Sequence, residues 1–230
     1  MDLLKENSSI LERRQVAEKT TEISFKRRSS YKFETGQYSQ VIVSQLLYPD
    51  QRGPSRLFSI ASSPSDKERI TIAFRDSESG YKRTLIEAPL GYEVIVRGPF
   101  GGDFSLPENT ARHLVFIAGG IGITPFLSMS SFATEQSLPL QITLLYANRN
   151  KKSSAYLKEI DELVRRNRHF KVKNKFVRVD SVFIKQNVKD VLSAEWYIAG
   201  PPGMVEEASR IVLNLGVNPS ALHKERFTGY

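Results

Sequence analysis

The 230-residue chain is 40% hydrophobic and 25% charged, with a formal net charge of +8, which is typical of a globular protein of one large or two small domains. The chain contains no cysteine, and this excludes disulfides, cysteine-ligated zinc and any iron–sulfur cluster held by its own residues. Because no window approaches about 18 consecutive apolar residues and the N-terminus is unlike a secretory signal, we expect a cytoplasmic protein without membrane insertion.

The first half of the sequence predicts short β-strands. The segments are rich in β-branched and aromatic residues, and turn sequences such as ETGQY and APLGY separate them: EISFKRR, YSQVIVSQL, RLFSIAS, RITIAFR and YEVIVRG. Strands at this spacing indicate an antiparallel β-barrel, with a sandwich as the alternative. Within this half, SGYKRTLIEAPLG predicts a short helix that ends at Pro89 and Gly91.

The second half alternates between strands and helices. The predicted strands are HLVFIAGG, LQITLLYA, FKVKNKFVRV and EWYIAG, and the predicted helices are TPFLSMSSFATEQS, SSAYLKEIDELVRRN and PGMVEEASRIVLNLG. We expect a serine to cap the second of these helices. The alternation predicts right-handed crossovers and a parallel, Rossmann-like α/β sheet. The segment SLPENTARH marks the boundary, which divides the chain into residues 1–107 and 108–230.

Glycines follow the first parallel strand in FIAGGIGITPF. Gly119, Gly120 and Gly122 allow a tight turn and a close approach of the backbone to a ligand, and the next helix begins with unpaired N–H donors. This combination predicts a diphosphate site, although a β–α turn without a ligand is the alternative.

A second glycine loop lies in YIAGPPGMVE, where Gly200, Pro201, Pro202 and Gly203 follow a later strand. Ligands of open parallel sheets bind outside the carboxyl ends of the strands. We therefore expect the two loops to border one crevice. A stiff helix entry without a ligand is the alternative.

The motifs RLFSIASSP, GYKRTL, RGPFG, AGGIGITPF, AGPPGM and ERFTGY, in this order, resemble those of the ferredoxin–NADP reductase superfamily. The resemblance runs from about residue 10 to residue 230. It implies an FAD-binding barrel in residues 1–107 and an NAD(P)-binding domain in residues 108–230. FAD is favoured over FMN only because it is the more frequent flavin in the family.

The resemblance also implies an activity. The chain is expected to be a flavin-dependent oxidoreductase that passes hydride between NAD(P)H and FAD, and electrons onward to ferredoxin, flavodoxin or an oxygenase component. The alternative is a flavin-binding relay subunit of a larger redox complex. The basic segment of residues 165–178 straddles a helix end and a strand, so we expect no binding of nucleic acid.

The stretch RLFS resembles the family's R-x-Y-S flavin motif. The resemblance implies that Arg56 pairs with the flavin diphosphate and that Phe58 stacks on the isoalloxazine in place of tyrosine. It also places the Ser59 hydroxyl near flavin N5, where hydride arrives, and makes Leu57 part of the cofactor site. A plain strand with a surface arginine is the alternative.

The stretch GYKRTL resembles the second flavin element of the family, a helix that offers N–H groups to the diphosphate. The usual G-x-x-S spacing is not reproduced. Lys82, Arg83 and Thr84 therefore remain equal candidates, and a solvated helix start is the alternative.

Further site residues follow from the same resemblance. Thr124 matches a residue that borders the nicotinamide, with helix capping as its alternative. An aromatic at the terminus is expected to cover one face of the flavin, and we prefer Phe227, with Glu225 nearby, to Tyr230. Ser59, Glu225 and Phe227 form the predicted catalytic set, and the residues predicted to hold NAD(P) are Gly120, Ile121, Gly122, Thr124, Arg149, Gly200 and Pro201.

Cofactor choice is predicted from charge. Residues 110–230 carry 17 basic and 10 acidic residues, against 16 and 15 in residues 1–109. Arg149, Lys151 and Lys152 follow the second parallel strand, where the adenosine ribose is expected. The sequence leans toward NADP over NAD. No metal is expected, because His113, His169 and His223 are scattered along the chain.

Overall fold

Two sheets of different type make up the protein, whose computed structural model describes residues 4–228. The first sheet is antiparallel and has six strands in the order β4-β3-β6-β1-β2-β5. Its strands are β1 (Leu4–Ala17), β2 (Thr20–Lys26), β3 (Tyr38–Val43), β4 (Ser55–Ser59), β5 (Arg69–Arg75) and β6 (Glu93–Phe100). The predicted antiparallel unit is confirmed.

The first sheet curves so that its two ends meet. Just beyond β4, the Ala61 N–H donates to the carbonyl of Thr71 in β5 over 2.7 Å, which gives the unit its barrel-like form. Ile23, Phe25 and Val96 are fully buried inside it. Helix α1 (Gly80–Glu87) follows β5, as predicted.

The sequence analysis missed β1. Its residues LKENSSILERRQVA are mostly polar, so propensity alone gives a weak strand signal. Pairing with both β2 and β6 makes it a central strand. Tertiary contacts therefore outweigh the local pattern at this place.

The second sheet is parallel, with five strands in the order β11-β10-β7-β8-β9. Its strands are β7 (Leu114–Gly119), β8 (Ile142–Ala147), β9 (Phe170–Lys175), β10 (Glu195–Gly200) and β11 (Leu222–Arg226). The helices are α2 (Thr124–Glu135), α3 (Leu157–Arg166), α4 (Ser181–Asn187) and α5 (Pro202–Asn214). Every residue of β7 and β8 is buried, as expected for central strands covered on both faces. The predicted Rossmann-like unit is confirmed.

Three details of this second unit differ from the expectation. Helix α4 and strand β11 were not predicted. The serine cap expected for α3 is wrong, because the residue before that helix is Tyr156 in a left-handed conformation, with no side-chain cap. Ser153 and Ser154 instead bond to Asn150 in the preceding turn.

The segment between β6 and β7 joins the two units. Phe104 packs against Phe126 and Tyr197 with ring centroids 5.6 and 5.4 Å away, so this connection contributes to the core of the second unit. The division at residues 107 and 108 stays a prediction. Within residues 4–228, no helix is both long and apolar enough to cross a membrane, and the predicted cytoplasmic location is not tested by this finding.

Candidate active site

A cavity of about 430 Å³ lies where the two units meet, a size within the usual range for small-molecule sites. The first unit contributes β3, β4, β5 and α1 to its wall, and the second unit contributes the turn before α2, the start of α2, and the residues that end β11 and follow it. Predicted site residues in this wall are Arg56, Leu57, Phe58, Ser59, Lys82, Ile121, Thr124, Glu225 and Phe227. The structure therefore brings together residues that are up to 171 positions apart in the sequence.

Ser59 and Glu225 connect the two units inside this cavity. The Ser59 hydroxyl donates to Glu225 Oε1 over 2.7 Å. Glu225 Oε2 is buried and has no hydrogen-bond partner among residues 4–228. Burial raises the pKa of Glu225 to about 7, against the hydrogen bond from Ser59, which lowers it. Near neutral pH this carboxyl group can therefore hold or release a proton facing the cavity.

Two phenylalanines add flat apolar surface to the cavity. Phe58 is half-buried, and its ring centroid lies 5.7 Å from that of Phe74 and 6.2 Å from that of Tyr81. Phe227 is held by its backbone N–H, which donates to the Gly200 carbonyl over 2.9 Å. Tyr230, the other predicted terminal aromatic, lies outside the described residues.

The two glycine loops are in direct contact, which supports the predicted common crevice. A Cβ at Gly122 would lie 2.3 Å from the Ala199 carbonyl oxygen, so this glycine is needed for packing between the loops. Gly120 has φ +55, and a Cβ there would meet only Arg75 Nη2 within 4 Å, at 3.5 Å. Of the three glycines in the first loop, Gly120 is therefore the one with room for a ligand.

Thr124 begins α2 and is almost fully buried in the cavity wall. Its hydroxyl donates to the Ile121 carbonyl over 3.1 Å. The alternative role as a helix cap is not seen, because no side chain caps this helix.

Arg75 is a site residue that the sequence analysis missed. It ends β5 in the first unit, but its Nη2 donates to the Ser153 carbonyl of the second unit over 2.6 Å. Its guanidinium therefore lies beside Gly120, at the predicted nucleotide turn. An arginine at a strand end gives no sequence signal of such a contact. Arg149, which the sequence did single out, lies exposed in the loop after β8.

The three candidates of the GYKRTL element have different surroundings. Lys82 lines the cavity. Arg83 lies over the Tyr48 ring, 3.8 Å from its centroid, and pairs with Glu87 on the outer surface. The Thr84 hydroxyl donates to the Gly80 carbonyl within α1. The structure thus places only Lys82 of these three in the cavity wall.

Arg56 lies in the wall of the cavity, but the rest of its own loop surrounds its guanidinium. Nη2 donates to Asp50 Oδ1 over 2.6 Å. Nη1 donates to the carbonyls of Arg52, Gly53 and Ser55. The predicted contact of Arg56 with a flavin diphosphate is not tested by these contacts and stays a prediction.

Residues 116–210 match the family model of the oxidoreductase NAD-binding domain. The chain is 27% identical to a flavohemoprotein of Bacillus subtilis over 85% of its own length and 51% of that protein. It is 28% identical to the reductase component of propane 2-monooxygenase of Rhodococcus jostii over 87% of its own length and 57% of that protein. The chain thus spans about half the length of the curated relatives it matches.

Among solved structures, ferredoxin–NADP⁺ reductase from Plasmodium falciparum superposes with a TM-score of 0.79 at 19% identity, covering 97% of this chain and 96% of that one. The likeness defines the fold class of this chain as an antiparallel barrel followed by a parallel α/β sheet. Residues 116–210 carry the oxidoreductase NAD-binding domain, and the chain as a whole has the fold of this solved structure.

Proposed function

We propose that this chain is a flavin oxidoreductase that takes hydride from NAD(P)H and passes electrons to a protein acceptor. The observation that carries the proposal is the Ser59–Glu225 hydrogen bond, which joins the barrel to the parallel sheet inside one cavity. The oxidoreductase NAD-binding domain in residues 116–210 supports the nicotinamide half of the proposal.

The cavity fits the ring of a flavin in chemistry and in size. It offers the flat faces of Phe58 and Phe227, a hydroxyl from Ser59, and the unpartnered Oε2 of Glu225. An orphaned buried oxygen is costly unless a proton or a ligand satisfies it. A bound flavin would supply the redox chemistry, accepting hydride from NAD(P)H and releasing electrons to the acceptor.

The protein's own contribution is positioning and proton control. Phe227, fixed by its hydrogen bond to Gly200, is proposed to cover one face of the ring site until nicotinamide replaces it. Ser59 orients the Glu225 carboxyl, and the pKa of about 7 lets that carboxyl supply a proton to the cavity. Thr124 and the open side of Gly120 are proposed to border the nicotinamide nucleotide.

The acceptor is proposed from the relatives. One is called the reductase component of propane 2-monooxygenase, and another a flavohemoprotein. We infer that this chain also delivers electrons to an oxygenase component or a haem group, with ferredoxin and flavodoxin as further candidates. For the nucleotide, exposed Arg149 and the basic excess of residues 110–230 favour NADP over NAD.

The test is NAD(P)H oxidation with ferricyanide as acceptor, using protein loaded with FAD or FMN. We expect turnover, and we expect Ser59→Ala to lower kcat on the order of tenfold, the value of one hydrogen bond to a charged group. Ser44→Ala is the matched control, because Ser44 donates to the Glu93 carbonyl and is not part of the cavity wall. Flavin-loaded protein that fails to oxidise either nucleotide contradicts the proposal.

A further inference from the structure

The net charge of the chain is concentrated in one segment that contributes nothing to the wall of the active-site cavity. Residues 165–189 contain nine lysines and arginines and a single acid, Asp180. The other 205 residues contain 24 basic and 24 acidic residues. The whole formal charge of +8 therefore belongs to 25 consecutive residues, which run from the end of α3 through β9 and α4.

Strand β9, at the edge of the parallel sheet, presents a row of lysines on one side. Side chains two positions apart point the same way in a strand, so Lys171, Lys173 and Lys175 share a face. Helix α4 lies on that face, because Lys175 Nζ is 4.8 Å from the centroid of the Phe183 ring and pairs with Asp180. The lysines of β9 and the exposed side of α4 therefore form one surface.

Exposed apolar side chains lie within the same surface. Phe176 and Val177 connect β9 to α4 and are 46% and 64% exposed, and Val182 in the first turn of α4 is 61% exposed. Lys185 is also exposed and lies three positions after Val182, which makes the two neighbours on the helix. Exposed apolar groups that are rimmed by charge mark an interaction surface.

We call this region the β9–α4 surface, and its residues are Lys171, Lys173, Phe176, Val177, Val182 and Lys185. Its three lysines form no ion pair with any of residues 4–228, in contrast to Lys175 beside them. Their charge is therefore available to an anionic partner, which they attract over a distance of about one Debye length.

The composition of the β9–α4 surface selects among anionic partners. Protein interfaces are depleted of lysine and enriched in arginine, tyrosine and tryptophan, whereas the cations of this surface are all lysines. The phosphate backbone of a nucleic acid offers no partner to exposed valines. Lysines beside exposed phenylalanine and valine fit a membrane surface, where cations meet anionic headgroups and apolar side chains enter the boundary with the acyl chains.

The position of the surface leaves the active-site cavity free. Strands β9 and β11 are the two opposite edges of the parallel sheet. With about 4.8 Å between neighbouring strands, β9 lies about 19 Å from β11, which brings Glu225 to the cavity. A lipid surface in contact with β9 and α4 is therefore compatible with binding of ligands in the cavity.

We propose that the β9–α4 surface attaches the protein to an anionic lipid surface. The lysines contact the headgroups, and Phe176, Val177 and Val182 enter the headgroup boundary. The attachment is peripheral and reversible. It is independent of the proposed function, because it uses no residue of the cavity wall.

The experiment is cosedimentation of the full chain with vesicles of phosphatidylcholine, either alone or mixed with an equal part of phosphatidylglycerol. We expect binding only to the mixed vesicles, and weaker binding as salt rises from about 0.05 M to about 0.5 M. Lys173→Gln combined with Lys185→Gln should weaken binding about twentyfold, at about fivefold for each charge. Lys26→Gln combined with Lys32→Gln is the control, because it removes the same charge from exposed positions of the first unit and should leave binding unchanged within about twofold.

Val177→Ser tests the apolar contribution against Leu90→Ser, because the two side chains are 64% and 62% exposed. Only Val177→Ser should weaken binding to the mixed vesicles, by about fivefold, since only Val177 is expected to leave water on binding.

Failure to bind the mixed vesicles overturns the inference, as do equal losses in the two lysine pairs or an unaltered affinity of Val177→Ser. Tighter binding to duplex DNA than to the mixed vesicles also overturns it and identifies a nucleic-acid surface instead. The Kd for NADPH is measured on the same variants. If Lys173→Gln with Lys185→Gln weakens NADPH binding as much as vesicle binding, the lysines serve the nucleotide and the inference fails.

Discussion

The first turn of α1 and the turn before α2 make an instructive comparison, because glycine beside a helix start predicts a phosphate site at both. At α1 the Tyr81 N–H donates to Asp50, 31 positions upstream, and Gly80 packs against the loop that carries Asp50. At the second turn, Gly120 faces open space beside Arg75. A helix N-terminus attracts an anion in either case, but the tertiary fold decides whether a ligand or the chain itself provides that anion.

Asp50, which occupies the first turn of α1, is also held in its charged form. Burial alone raises the pKa of Asp50, but hydrogen bonds from Ser79, Tyr81, Arg52 and Arg56 together lower it well below its ordinary value. Asp50 therefore stays charged throughout the pH range in which the protein is expected to work. A ligand anion can therefore reach the first turn of α1 only if the loop that carries Asp50 moves.

The largest expected effect comes from Gly122, which packs the two glycine loops together. Gly122→Ala would bring a Cβ to 2.3 Å from the Ala199 carbonyl oxygen, so we expect a loss of about 3 kcal/mol in the free energy of unfolding. Gly203→Ala is the control, because nothing lies within 4 Å of its Cβ position, and alanine there should be neutral or stabilising. Urea denaturation measures both, and equal stabilities would refute the packing role of Gly122.

The next effect concerns the proton on Glu225. Folding raises the pKa of Glu225 from 4.5 to about 7, so the folded state holds the proton more tightly than the unfolded state. The resulting stability is complete below about pH 4.5 and is lost as the pH rises past 7. Glutamine does not titrate, so between pH 5 and 8 the free energy of unfolding should change by roughly 2 kcal/mol less in Glu225→Gln than in the natural sequence. This value is smaller than the full pKa shift gives, because Glu225 is partly exposed.

This second prediction is checked by thermal melting across that pH range. The Tm of the natural sequence should fall more steeply with rising pH than that of Glu225→Gln. Parallel curves would mean that Glu225 titrates as an ordinary exposed carboxyl group.

Substitution of Gly120 tests the proposed nucleotide site at the turn before α2 directly. Gly120→Ala places alanine at φ +55, which costs about 1 kcal/mol in stability, and its methyl group would enter the space proposed for the nucleotide. Gly91→Ala has a similar strain at φ +84 with nothing within 4 Å of its Cβ position, far from either glycine loop in the sequence. We expect equal losses of stability but weaker NAD(P)H binding only for Gly120→Ala, as measured by titration calorimetry. Equal binding by both variants would count against a nucleotide at Gly120.

The smallest effect is expected at Arg149, which is exposed in the loop after β8. Arg149→Ala should weaken NADPH binding by less than about tenfold and leave NADH binding unchanged, because a solvated ion pair contributes at most about 1 kcal/mol. Arg165→Ala is the control, since Arg165 pairs with Glu162 on α3. Equal changes for the two nucleotides would remove Arg149 from the choice between them.

The comparison of the two turns also shows what a sequence can predict. Local patterns predicted four of the five parallel strands and α1, because hydrophobic runs and turn residues mark these elements. The resemblance of RLFSIASSP and ERFTGY to the family's motifs implied a common site for Ser59, Glu225 and Phe227, and all three lie in one cavity wall. Strand β1 was missed because its residues are mostly polar and its stability comes from pairing on both sides.

Contacts between distant segments account for what was missed at the site. Asp50 reaches α1, and Arg75 reaches Ser153 from the other unit. An acid in a turn and an arginine at a strand end have ordinary surface roles in most proteins, so neither one indicates such a contact. Only the folded geometry shows which of Lys82, Arg83 and Thr84 lines the cavity.

The most direct test of the proposed function is anaerobic mixing of the flavin-loaded protein with NADPH, and separately with NADH, in a stopped-flow spectrometer. If the cavity holds the flavin ring beside the nucleotide at Gly120, the visible absorbance of the flavin should bleach in one phase that saturates with nucleotide concentration. Stoichiometric flavin binding with no bleaching by either nucleotide, or with bleaching no faster than that of free flavin, would contradict the account.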